Sequence, residues 1–254
     1  MLKVRIIPTL LLKDIGLVKG IGFNSWRRVD TVLPAIKVYN MREVDELILM
    51  DITATQDNRD PDYDSIREFS QECFVPFTVG GGIKTLDHIK ELLRAGADKV
   101  SVNSAAYFNL NLIKEASYMF GSQCIVASID ARKDSDGKYY CYSHCGSNNT
   151  GKLVGDWAET VEKYGAGEIL ITSIEKDGTM EGYDIELIKQ VTDRVSIPVI
   201  ASGGAGSYKD FYDAICIGKA NAVAAASIYH FTEQTPKCAR NYLREKNIPV
   251  RITD

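Results

Sequence analysis

Two glycine runs and three aspartates carry most of the chemistry this sequence offers. Gly80-Gly81-Gly82 and Ser202-Gly203-Gly204 each close a short apolar run. Without a Cβ the backbone can approach a ligand closely and expose its N–H groups, and phosphate is the natural guest of such loops. Ser104 and Ser227 close two further runs and bring hydroxyls and helix-starting amides beside them. Two anion sites across one mouth suit a substrate with a phosphate at each end; the plainer alternative is that the glycines only make tight turns. Asp51, Asp130 and Asp177 also stand at run ends, where a carboxylate either exchanges protons or serves as a salt bridge or cap. Asp130, directly after Ile129, is the best placed of them for proton transfer; Asp177 lies in Lys176-Asp177-Gly178-Thr179.

At the opposite ends of such runs sit Arg5, Glu46, Lys99 and Glu168, two of each sign. By alternation Arg5 shares a face with Ile7, Thr9 and Leu11, and Lys99 with Ser101 and Asn103. Either these charges reach into solvent, or they converge on one axis. Unpaired they could not be buried, but as a mutually paired neutral quartet they could form a plug that opens transiently.

The elements that must position these residues alternate along the chain. Strands are expected at 4–10, 47–52, 77–79, 100–103, 125–129, 169–173, 199–202 and 222–226, with amphipathic helical stretches such as 86–95 and 183–195 between them. Near-continuous apolar strands imply a parallel sheet covered on both faces, and eight such units in 254 residues fit a single-domain α/β chain, a (β/α)8 TIM barrel over residues 1–254. The chain also repeats itself. The segment from Glu46 aligns with that from Glu168, and Val79–Ile83 with Ala201–Ala205, both 122 positions apart, so two half-barrels are expected. Residues 14–28, with Gly16, Gly20, Gly22 and basic Lys19, read as a mobile lid. Residues 133–153, with Asp136-Gly137 before alternating tyrosines, read as a hairpin on the same face.

Composition excludes several classes. The chain is 45% hydrophobic and 25% charged, as globular proteins are, and its net charge of −4 gives no basic excess for a nucleic-acid backbone. No apolar run is long enough to span a bilayer, and Met1–Lys13 has neither a basic leader nor a cleavage site, so a cytoplasmic protein is expected. Six cysteines without paired spacing read as reduced thiols. Tyr142-Ser143-His144-Cys145 with Cys141 matches no zinc spacing, so no metal or other cofactor is expected. Gly20-Ile-Gly22 lacks the context of a dinucleotide fingerprint, Asn148-Asn149-Thr150 is a glycosylation triplet only formally, and His230 reads as structural.

Over nearly its whole length the chain resembles the cyclase subunit of imidazole glycerol phosphate synthase. The match is carried by Arg5-Ile-Ile-Pro8, Leu17-Val-Lys19-Gly20, Leu49-Met-Asp51-Ile-Thr53, Thr78–Ile83, Gly96–Ser104, Gly121–Val126, Asp177-Gly-Thr179 and Ile197–Gly206. The resemblance implies a barrel enzyme of histidine biosynthesis. A separate glutaminase releases ammonia at its amino-terminal face, and the ammonia crosses the core to a bisphosphorylated ribulosyl substrate. It also implies that Arg5, Glu46, Lys99 and Glu168 are the ammonia gate, and that Asp98 helps dock the glutaminase. Residues and resemblance together give a ligand-binding set of Lys19, Gly81, Gly82, Asn103, Ser104, Asp177, Gly178, Ser202, Gly203, Gly204 and Ser227.

One departure outweighs these agreements. The family's cyclisation uses two aspartates, the second matching Asp130, while the first falls on Leu11. Leucine cannot accept, donate or orient a proton, and Asp14 lies three residues farther along. The sequence most resembles cyclase paralogues found with sugar amidotransferases of surface-polysaccharide pathways. It implies an ammonia-conducting subunit that serves amidation of a sugar, with an authentic cyclase and a non-conducting scaffold as the alternatives.

Overall fold

The computed structural model describes residues 3–252. Met1 and Leu2, which open the segment read for a leader, lie outside it. In chain order the strands are β1 (Arg5–Lys13), β2 (Gly16–Ile21), β3 (Asn24–Asp30), β4 (Leu47–Asp51), β5 (Phe77–Gly80), β6 (Lys99–Val102), β7 (Ile125–Lys133), β8 (Tyr139–Ser143), β9 (Asn148–Leu153), β10 (Glu168–Ser173), β11 (Val199–Ser202) and β12 (Ala222–Ala225). Eight of them, β1-β4-β5-β6-β7-β10-β11-β12, pair in parallel, and β12 returns to β1, which closes a (β/α)8 barrel. The helices are α1 (Val32–Met41), α2 (Tyr63–Gln71), α3 (Leu86–Arg94), α4 (Ser104–Phe108), α5 (Asn111–Phe120), α6 (Val154–Lys163), α7 (Ile185–Thr192), α8 (Tyr208–Cys216), α9 (Ser227–Phe231) and α10 (Pro236–Glu245).

Side-chain alternation splits the apolar residues into two cores. Outward residues such as Ile6, Leu10, Leu49, Phe77, Val100 and Ile129 pack under the helices. Inward residues Ile7, Ile48, Val126, Leu170, Ile200, Ala222 and Ala224 form a separate apolar plug on the axis, with Met50 against it. At the amino-terminal ends, the residue before a strand repeatedly satisfies its neighbour: Asp45 accepts from Ile6 N–H, Asp98 from Phe77 N–H and Asn221 from Val199 N–H. Buried backbone donors at the bottom of the barrel are thereby paired.

The half-barrel repeat extends to details. Asp62 and Asp184 both cap their helices through the side chain, and Thr85 and Ser207 both stand at N-caps, each pair 122 positions apart. A Cβ on Gly81 would strike the Asp51 carbonyl, and one on Gly203 would approach the equivalent carbonyl of Ser173. Both halves also open alike, with a nine-residue strand that runs on into an antiparallel hairpin.

Residues 14–28, expected as a long connection after the first strand, are instead largely regular strand structure. The first strand continues to Lys13 rather than stopping at Leu10, and β2 and β3 form an antiparallel ribbon on it, with Leu11 opposite Val18. The glycines serve close packing: a Cβ on Gly20 would collide with the Trp26 ring and the Asn24 carbonyl. The expected hairpin at 133–153 is present as β8 and β9, and its turn at Gly146 faces Phe23 of the first hairpin. No described helix is long and apolar enough to cross a membrane, and all six cysteines are free thiols.

Candidate functional site

The carboxyl ends of the strands surround a cavity of about 400 Å³, a size typical of small-molecule sites. The residues proposed from sequence meet there: Lys19, Gly81, Gly82, Asn103, Ser104, Asp130, Asp177, Gly178, Ser202, Gly203, Gly204 and Ser227 all line it. Leu11 lines it too, half-buried on the wall. Asp14 does not substitute for it; it sits exposed in the β1–β2 turn.

Asp130 is held by Asn103, whose amide Nδ2 donates to its carboxylate at 2.7 Å. Asp130 is half-buried, open in part to the cavity. Burial, then the charge of Asp177, push its carboxyl up to about 7, against the pull of the Asn103 bond. Burial also raises Asp177 to about 6, with Lys19 opposing. Lys19 is fully enclosed and donates to the Thr9 carbonyl at 3.2 Å; burial lowers its ammonium to about 8. Three groups therefore change charge near neutral pH in one cavity, an arrangement suited to proton exchange.

A stability test follows from Asp130. Its ordinary value is 3.8, so the unfolded chain loses this proton near pH 4 while the folded protein keeps it until about pH 7. The folded state binds the extra proton within that window, so this group lowers stability as pH rises through it, and the loss persists above it. Asp130→Asn is expected to be more stable than the parent above pH 7, by a few kcal/mol, with the gap shrinking towards pH 4. Urea midpoints measured across that range check this. A gap independent of pH would remove burial as the cause.

The two glycine loops have left-handed backbones at Gly81, Gly82, Gly203 and Gly204, and a Cβ on Gly81 or Gly204 would strike the carbonyl of Asp51 or Gly182. Their quarters differ. On one side, Ser104 Oγ already accepts from His144 N–H, and Gly82 N–H points to Thr55 Oγ1 at 3.4 Å. On the other, no hydrogen bond among the described residues engages the hydroxyls of Ser202 or Ser227.

Asp51 lines the cavity too, but its carboxylate is already engaged. It accepts from Thr53 and Ala54 backbone N–H groups and pairs with Arg59 at 3.2 Å, which orders the loop after β4. Several residues that shape the mouth were not singled out for it from sequence: Phe23 and Trp26 from the first hairpin, Phe108, and the His144-Cys145 turn, where the Cys145 thiol donates to the Ile52 carbonyl. The alternating tyrosines before this turn marked the hairpin but not where its tip would land. Among the described residues, no three or more His, Cys, Asp or Glu side chains are grouped so that they could hold a metal ion. His230 lies outside the cavity lining, and burial lowers it to about 4, in line with a structural role.

At the far end of the axis the four charges converge. Arg5 pairs with Glu46 at 2.7 Å and with Glu168, while Lys99 bonds Glu46 at 2.9 Å and Glu168 at 2.9 Å. Thr78 Oγ1 also donates to Glu46 at 2.8 Å. The two buried carboxylates thus alternate with two cations in a closed, neutral ring beneath the apolar plug. Asp98, one residue before Lys99, is exposed on this face, with one carboxylate oxygen taken by Phe77 N–H.

The sequence matches the profile described as histidine biosynthesis protein over residues 5–235, and the chain belongs to that family.

Proposed function

We propose that this chain is the barrel subunit of a glutaminase-dependent amidation system. It takes ammonia from a glutaminase at the amino-terminal face and conducts it along the axis to the mouth, for amidation of a sugar in surface-polysaccharide biosynthesis. The observation that carries the reading is the neutral ring of Arg5, Glu46, Lys99 and Glu168, which closes the axis at its amino-terminal end, beneath the apolar plug. A barrel that only processed a substrate at its top would have no need of buried charges at its bottom, since apolar packing there is as stable or more so. Met41, Phe74, Tyr118, Met119 and Ile217, at helix ends and αβ connections on the ring's side of the barrel, are all more than half exposed, which suits a protein partner on that face. Leu11 in place of a mouth carboxylate supports an acceptor other than the family's ring-closure substrate.

The test compares nitrogen sources. With the glutaminase and sugar amidotransferase added, Lys99→Met is expected to cut glutamine-supported amidation at least tenfold and to leave amidation supported by ammonium salt unchanged. Equal rates from both sources in the variant would make the chain a non-conducting scaffold.

A second reading, an authentic cyclase, is favoured by one observation: the charge of Asp177 acts on Asp130, so the mouth does contain a second carboxylate. Ordinary rates of imidazole glycerol phosphate release from the ribulosyl substrate and ammonium, lost in Asp177→Asn, would establish it.

A further inference from the structure

Among the buried oxygens without a hydrogen-bond partner, three belong to residues that line the cavity: Thr9 Oγ1, Ser101 Oγ and Asn103 Oδ1. All three residues line the one cavity, together with Ser128, on the floor below Asp130. Strand register places them in adjacent inward layers: Gly80 pairs with Ser101 across β5 and β6, and inward positions from alternate strands share a level. Thr9 and Ser101 are more than nine-tenths buried. A buried polar oxygen without a partner costs about 1–3 kcal/mol, so three facing one cavity favour a shared ligand.

We propose that Thr9, Ser101 and Asn103 form a holding site for a single ammonium ion beneath Asp130. A tetrahedral ammonium, with N–H bonds in four directions, can donate to all three oxygens, the two hydroxyls and the acceptor-only amide oxygen of Asn103. The amide of Asn103 is oriented for this, because its Nδ2 is committed to Asp130, which leaves Oδ1 as the free acceptor. Below the site lie Ile7, Val126, Leu170 and Ile200, an apolar stretch that a hydrated ion crosses at high cost but neutral ammonia does not. Ammonia that arrives takes the proton from the carboxyl of Asp130; ammonium and carboxylate are the products, and nothing else is consumed. The ion then rests among neutral oxygens with one negative group above it.

The inference rests on the conduction reading, but its test uses binding alone. Crystals of the full chain soaked in thallium(I) acetate, a cation of ammonium's size, are expected to show one anomalous peak within hydrogen-bond reach of the three oxygens. ¹⁵N-ammonium is expected to bind with at least tenfold lower affinity to Thr9→Val, a near-isosteric change, and to Ser101→Ala. An ordered water with no thallium, a peak only at the charged ring, or unchanged ammonium affinity in both variants would overturn the site. Conduction could still hold with the site empty, and a filled site would survive a Lys99 variant that conducts normally, so the two claims fail separately.

Discussion

Leu11→Asp is expected to raise ammonium-driven imidazole ring closure on the ribulosyl substrate by roughly 10²–10⁴-fold, the usual contribution of one general acid or base. The reasoning is geometric. β1 and β7 are equivalent strands of the two half-barrels, both nine residues long and both continuing into a hairpin. Leu11 stands on the first where Asp130 stands on the second, with Val18 opposite Leu11 and Tyr142 opposite Asp130 in the hairpin ladders. Leu11 lines the cavity and is only half-buried, so a carboxylate there would be partly solvated and would face the same ligand as Asp130. Initial rates with purified protein and ammonium salt decide the matter. A parent already working at ordinary enzyme rates would end the case for a changed acceptor. A variant no faster than the parent would show that position 11 is not what separates this mouth from ring closure.

The second large effect concerns the ring. Glu46 is almost fully buried and accepts bonds from Arg5, Lys99 and Thr78. Glu46→Leu leaves two cations to share Glu168, with one positive charge uncompensated at the edge of an apolar plug. Removing one member of a buried ion pair typically costs about 3–5 kcal/mol, and a loss in that range is expected from urea unfolding. Combining Glu46→Leu with Lys99→Met restores neutrality and is expected to recover most of the loss, which a simple defect in packing would not permit. A single-variant loss below about 1 kcal/mol, the size of an exposed pair, would mean that the ring is open to water.

Much of this protein was legible in one dimension. Strand and helix alternate with local periods, so the eight barrel strands could be placed from Val4 to Ala226 and the helical stretches 86–95 and 183–195 within a few residues of the observed Leu86–Arg94 and Ile185–Thr192. The repeat exposed the paired glycine loops, and Leu11 stood out against its resemblance to the cyclase. Errors fell where pairing between segments decides the outcome. Residues 14–28 carry glycines that suggest a loop, but Gly20 is there because the Trp26 ring lies on it, and the ribbon exists because Leu11 to Lys13 offer β2 a free edge beyond the barrel wall. Asp51 looked like Asp130 by position at a strand end, and only the fold shows that Arg59, from the following loop, pairs with Asp51 while Asn103 bonds Asp130.

The sequence by itself determined the period of each element, the order of the strands and the missing carboxyl at position 11, because each depends on neighbours along the chain. Tertiary structure alone decided whether Arg5, Glu46, Lys99 and Glu168 reach solvent or one another, that Asn103 leaves one oxygen free beneath Asp130, and which tips meet over the mouth. Those outcomes depend on the closure of β12 onto β1, which brings residues more than a hundred positions apart within bonding distance on the axis.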